Sequence, residues 1–110
     1  DDAEYRRKEH YRLVHKKPDA MIDLHGLTSD EAWDSLEHFF NQSLKMGLEK
    51  VQIIHGKGNH SDKEAVLSRL TKRYIEQNPY AGMHGHPSQA DGGSGATWVV
   101  LKKSINARGK

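Results

Sequence analysis

Short apolar runs alternate along the chain with segments whose apolar residues return every three or four positions. "AMIDLH" (20–25) and "KVQIIH" (50–55) are two such runs, each stopped by a glycine, Gly26 and Gly56, and each reads as a buried strand. A Ser/Thr-x-x-Glu helix start follows each one. "TSDE" places Thr28 as N-cap with Glu31 reaching back, and "SDKE" at 61–64 repeats the device. Ala32, Trp33, Leu36, Phe39, Phe40 and Leu44 then recur at helical spacing up to an expected end near Gly47. Val66, Leu67, Leu70 and Tyr74 mark a second helix, closed before Pro79. "YAGMHGH" predicts a weaker strand, because glycine leaves side-chain packing unfilled. "HPSQADGGSG" predicts a loop, and "ATWVVLKK" a last strand rich in β-branched residues.

The order β-α-β-α-β-β predicts an α/β two-layer sandwich, with two helices on one face of a four-stranded mixed sheet. The strand-helix-strand units favour parallel pairing, and the last two strands antiparallel pairing. Residues 1–19 form a polar extension of mixed charge, read as a short helix or a loose arm ended by Pro18. Residues 20–103 form the domain, and 104–110 a polar tail expected to be mobile.

Composition narrows the function classes. A chain of 110 residues suits one domain with a modest core, and the absence of cysteine excludes disulfides and Cys-ligated zinc. No apolar stretch is long enough to span a membrane and no signal-peptide pattern is present, so a cytoplasmic location is expected. The chain begins with Asp1 rather than Met, which leaves room for upstream domains. A net charge of +2 is a mild bias toward polyanions rather than a strong footprint. The eight histidines matter more, since each titrates near neutrality. His10, His15 and His38 read as ordinary surface residues.

Alternation places Asp23 and His25 on one face of the first strand, close enough for the carboxylate to contact and orient the imidazole. An oriented imidazole is a usable general base or acid, worth about 10²–10⁴-fold in rate. His55 ends the second strand, and parallel strands end on the same sheet edge, where α/β sheets bind ligands. His25 and His55 are therefore expected to converge. Gly56 and Gly58 permit close backbone approach, a helix start favours an anion, and Lys57 supplies a charge suited to phosphate. Together these residues predict a phosphodiester site. The plainer readings are a glycine turn at each strand end, Asp23 as a helix cap, and "GGSG" (92–95) as a flexible turn. Asp23, His25, His55, His84 and His86 also contain enough ligands for zinc or manganese, but lack a compact metal motif. No tightly bound cofactor is expected, and a loosely held divalent ion is left open.

"IDLHG", "IIHGKG" and "GGSGATWVVL", in this order and spacing, resemble the three signature segments of the Smr (small MutS-related) domain family, over roughly residues 20–103. The resemblance implies the sandwich already read, similar to the C-terminal domain of bacterial translation initiation factor three. It also implies nucleic-acid binding and, in several branches, endonuclease activity on DNA or RNA, including mRNA on stalled ribosomes. The family's Asp-x-His pair falls on Asp23 and His25. Its His-Gly-x-Gly segment falls on His55, Gly56, Lys57 and Gly58, and its third motif on Gly92, Gly93 and Gly95. Asp23, His25 and His55 are thus expected to be catalytic, and Lys57 with the glycines to bind phosphate. Many MutS2-linked members carry arginine where this chain has His25, so the histidine favours the stand-alone type. The expected partner is RNA or DNA, presented by a ribosome or a repair complex, with no membrane involved. The competing expectation is a module that binds branched or structured nucleic acid without cutting it.

Overall fold

The structure, a computed structural model, describes residues 1–59 and 61–103; the tail expected at 104–110 lies outside the described residues. The elements are α1 (Asp2–His15), β1 (Ala20–Asp23), α2 (Ser29–Lys45), β2 (Lys50–Ile54), α3 (Asp62–Gln77), β3 (Ala81–Gly85) and β4 (Ala96–Leu101). Two 3₁₀ turns, Gln89–Asp91 and Gly93–Gly95, precede β4. The strands lie in the order β1-β2-β4-β3; β1 and β2 are parallel, and both pairs involving β4 are antiparallel. This is the expected mixed sheet with two helices on one face. The glycine-rich strand, β3, does pair, with a register irregularity between Ala81 and His84.

Local chemistry sets the helix starts. Thr28 accepts from the Glu31 amide at 3.2 Å, and Glu31 accepts from the Thr28 amide at 2.9 Å, closing the capping box of α2. At α3 only half of the expected box forms. Ser61 accepts from the Glu64 amide, but the Glu64 carboxylate turns away and accepts from the Gly58 amide at 3.3 Å.

The core lies between sheet and helices. Leu24, Val51, Ile53, Val99 and Leu101 from the sheet side meet Leu36, Phe40, Leu67, Leu70 and Tyr74. Tyr74 packs edge-on against Trp33 and Phe40, each with centroids 5.0 Å away, and its hydroxyl donates to Glu37. Burial pushes the Tyr74 phenol up to about 12.

The extension is a regular helix, and no α1 side chain is buried. It is anchored by its end. The Lys50 ammonium, on the sheet face away from α2 and α3, donates to the carbonyls of Leu13, Val14 and Lys16 at 2.8, 3.0 and 2.6 Å. It also sits 4.5 Å from the centroid of the Trp98 ring. These carbonyls are the unpaired acceptors of a helix C-terminus, so a buried cation there completes the helix. Arg12 donates to both Glu49 oxygens, at 3.0 and 2.6 Å, and Lys16 donates to Glu49 at 2.8 Å. These partners pull the Glu49 carboxyl down to about 2.

Candidate functional site at the carboxyl ends of the parallel strands

β1 ends sooner than its apolar pattern suggested. The Leu24 amide still reaches Ile54 of β2, at 2.9 Å, but the Leu27 amide then returns to the Leu24 carbonyl at 3.1 Å. Gly26, at φ +84°, is the residue that lets this turn close. His25 is therefore at a turn corner rather than in the strand, and its side chain is 86% exposed. Asp23 holds that corner: its Oδ1 accepts from the His25 amide at 2.9 Å. Its Oδ2 lies 3.9 Å from His25 Nδ1, too far for a hydrogen bond. A single carboxylate thus fixes the backbone that carries the imidazole and faces the ring as well.

His55 is placed quite differently. It too lies just past its strand, but it is only 2% exposed. Its Nδ1 lies 2.8 Å from the Gly56 carbonyl, which can only accept, so Nδ1 carries the proton. Nε2 then accepts from the Thr97 hydroxyl at 2.9 Å. Burial holds the imidazole below the ordinary histidine value, the Gly56 bond opposes this, and nearby His86 adds to the lowering. The expected pair of converging, reactive imidazoles is corrected here. The two residues do leave adjacent parallel strands at one edge, yet only His25 faces solvent, and His55 has no ring nitrogen free.

What His55 organises is the glycine loop. Its amide and that of Gly56 both donate to the Gly95 carbonyl, at 3.0 and 2.9 Å, joining the second motif to the third. Gly56 has φ +88°, and a Cβ there would lie 2.8 Å from Glu64 Cδ, so no other residue fits without displacing the Glu64 side chain. The Gly92, Gly93 and Gly95 amides donate to Gln89, Ser88 and Gly92 within the turn. With the Gly58 amide given to Glu64, every glycine expected to grip phosphate through its amide already has an internal partner. These glycines shape the loops, and Lys57 is the exposed cation they present. The Lys57 stem runs 3.3 Å from where a Gly95 side chain would begin.

Beside the His25 turn, a crevice of about 250 Å³ separates the first turns of α2 and α3, lined by Gly26–Ser29 on one side and by Asp62, Lys63 and Val66 on the other. Among the described residues, no three His, Asp or Glu side chains gather around a common point, so the alternative ligand set of Asp23, His25, His55, His84 and His86 is not assembled. Sequence reading missed Thr97 and Glu64 as the residues that fix His55 and the glycine loop. Thr97 is 42 positions from His55 and gives no local signal.

The sequence pattern of the Smr domain matches residues 22–102, most of the chain. The chain belongs to the Smr domain family. An uncharacterized protein of Treponema pallidum (strain Nichols) is 42% identical, over 94% of this chain and 56% of its own length. The endonuclease MutS2 of Streptococcus mutans is 34% identical, over 91% of this chain but only 12% of its own length. The chain therefore spans about half of the first relative and a small part of the second. Among solved structures, YdaL, a stand-alone small MutS-related protein from Escherichia coli, superposes with a TM-score of 0.77 and 28% identity, covering 86% of this chain and 74% of YdaL. The Smr domain of Thermus thermophilus MutS2 shares the fold, with a TM-score of 0.67 at 24% identity over 76% of this chain and 98% of that domain. No described helix of this Smr chain is long and apolar enough to cross a membrane.

Proposed function

We propose that this Smr domain is an endonuclease that cleaves phosphodiester bonds, with RNA preferred to DNA. The observation that carries the reading is the Asp23–His25 corner: a solvent-facing imidazole on a backbone held by a carboxylate, at the sheet edge that also presents Lys57. On RNA, His25 takes the proton of a ribose 2′-hydroxyl as O2′ attacks phosphorus. The bond from phosphorus to the 5′-oxygen breaks, and that oxygen leaves with a proton from solvent or from the imidazolium. The products are a 2′,3′-cyclic phosphate and a 5′-hydroxyl. Asp23 faces the imidazolium that the first step creates, and Lys57 offsets charge building on the phosphoryl oxygens. His55 is a positioning residue in this scheme, since it holds the loop that carries Lys57. On DNA, lacking the 2′-hydroxyl, the attacking group is water. No resident metal is invoked, and a divalent ion bound with the substrate stays compatible with the same residues.

A second reading has its own support. His25 is open to water on most of its surface, and a site that does no chemistry has no need to exclude water. The same edge then serves a module that holds structured nucleic acid uncut. Incubating the purified protein with end-labelled RNA and DNA, with and without chelator, separates the two. New fragment ends support the endonuclease; bound but intact strands under every condition support the module.

A further inference from the structure

A groove of about 260 Å³ runs between α3 and the β3–β4 strands, and the site at His25 makes no use of it. Ser68, Arg69 and Lys72 line one wall, and His84, His86 and Thr97 the other. None of the lining residues is a carboxylate. Arg69 and Lys72 are exposed, lie three apart on one helix face, and form no ion pair among the described residues. His86 Nδ1 donates to the Ala96 carbonyl at 2.8 Å, which fixes the ring against the groove wall. Two unneutralised cations facing one depression that holds no carboxylate describe an anion site, and a guanidinium beside an ammonium suits phosphate.

Position identifies the anion. β4 begins, and β3 ends, at the sheet edge where β1 and β2 end, so His86 and Thr97 place one end of the groove at the edge that carries His25 and Lys57. From β1 to β3 is three strand spacings, ~14 Å. A strand stacked in helical form advances about 3.4 Å along its axis per phosphate, so that distance covers about four nucleotides of a stacked single strand. The volume is below the roughly 300–1,000 Å³ of pockets that enclose a whole drug-sized ligand, which fits a groove gripping part of a longer chain.

We propose that the α3–β3 groove is a second phosphate-binding subsite, seating backbone phosphates of the strand whose reacting bond lies at His25; this rests on the nucleic-acid reading above. The full chain, observed by amide NMR at low salt, is titrated with an RNA hexamer, a DNA hexamer and inorganic phosphate. The expected result is perturbation at 68–72, 84–86 and 97 as well as at 23–27, at far lower concentrations of either oligonucleotide than of phosphate. In the exposed double variant Arg69→Ala/Lys72→Ala, the salt dependence of oligonucleotide affinity should flatten by about 1.4 in log–log slope, the loss of two single-strand phosphate contacts. Thermal unfolding of the variant checks that its fold is intact. Perturbation confined to the His25 edge, an unchanged slope, or an equal response to inorganic phosphate overturns the subsite and leaves the endonuclease reading standing. Absence of oligonucleotide binding anywhere overturns both.

Discussion

Thr97 donates its hydroxyl to His55 Nε2 at 2.9 Å, and through that contact the start of β4 holds the glycine loop that follows β2. The bond is buried, so its loss leaves an imidazole nitrogen without a partner. Thr97→Val, which keeps the shape and removes the hydroxyl, should cost about 1–3 kcal/mol of stability in urea unfolding. A variant as stable as the parent would show that the bond contributes little.

His55 should also make stability depend on pH. The unfolded residue titrates near 6.5, and the folded one lower because of burial. Between the two values the unfolded chain binds more protons, so stability rises with pH across that window. The contribution is complete above 6.5 and is eroded as pH falls through 6.5 toward the folded value. Urea unfolding at several pH values should show a shallower slope for His55→Gln than for the parent. Parallel curves would contradict the burial assigned to this ring.

Asp23 has two tasks that substitution can separate. Asp23→Asn retains an oxygen to accept from the His25 amide but loses the charge facing the ring. Asp23→Ala loses both. The alanine variant should lower cleavage further than the asparagine variant, and only the alanine variant should alter the amide shifts of residues 24–27. Equal rates and equal shifts for the two would argue that the turn does not depend on the carboxylate oxygen.

The α1 arm should be releasable without unfolding the sheet. Lys50→Met leaves the carbonyls of Leu13, Val14 and Lys16 without their donor, so amide exchange across α1 should accelerate more than across β2. Acid loosens the arm at a second point, Glu49. Its carboxyl is depressed to about 2 from an ordinary 4.5, so the Arg12 and Lys16 contacts are complete above 4.5 and are lost as pH falls toward 2. Arm exchange that stays slow in the variant would place the anchor elsewhere.

The Thr28–Glu31 box and both core helices were legible in the sequence because their determinants are three or four residues apart. The three motif segments also lie together at one sheet edge, as the order of the strands implied. The burial of His55 was not legible, because the same His-Gly pair that exposes one ring at His25 buries the other, and the difference lies in Thr97 on another strand. Nor was the Glu64 contact, since the same spacing also supports the ordinary capping box seen at Glu31. The anchoring of α1 depends on Lys50, more than thirty positions away from the carbonyls it binds.

End-group analysis of RNA fragments, made by the parent and by His25→Ala, tests the role of the exposed imidazole most directly. His25 lies open to solvent, so its removal should leave stability within about 0.5 kcal/mol while lowering cleavage at least ~10²-fold. The parent should yield 2′,3′-cyclic phosphate and 5′-hydroxyl ends, and a 2′-deoxy substitution at the cut should block the reaction. Cleavage by His25→Ala at the parental rate, with 5′-phosphate ends, would contradict both the base and the nucleophile assigned here.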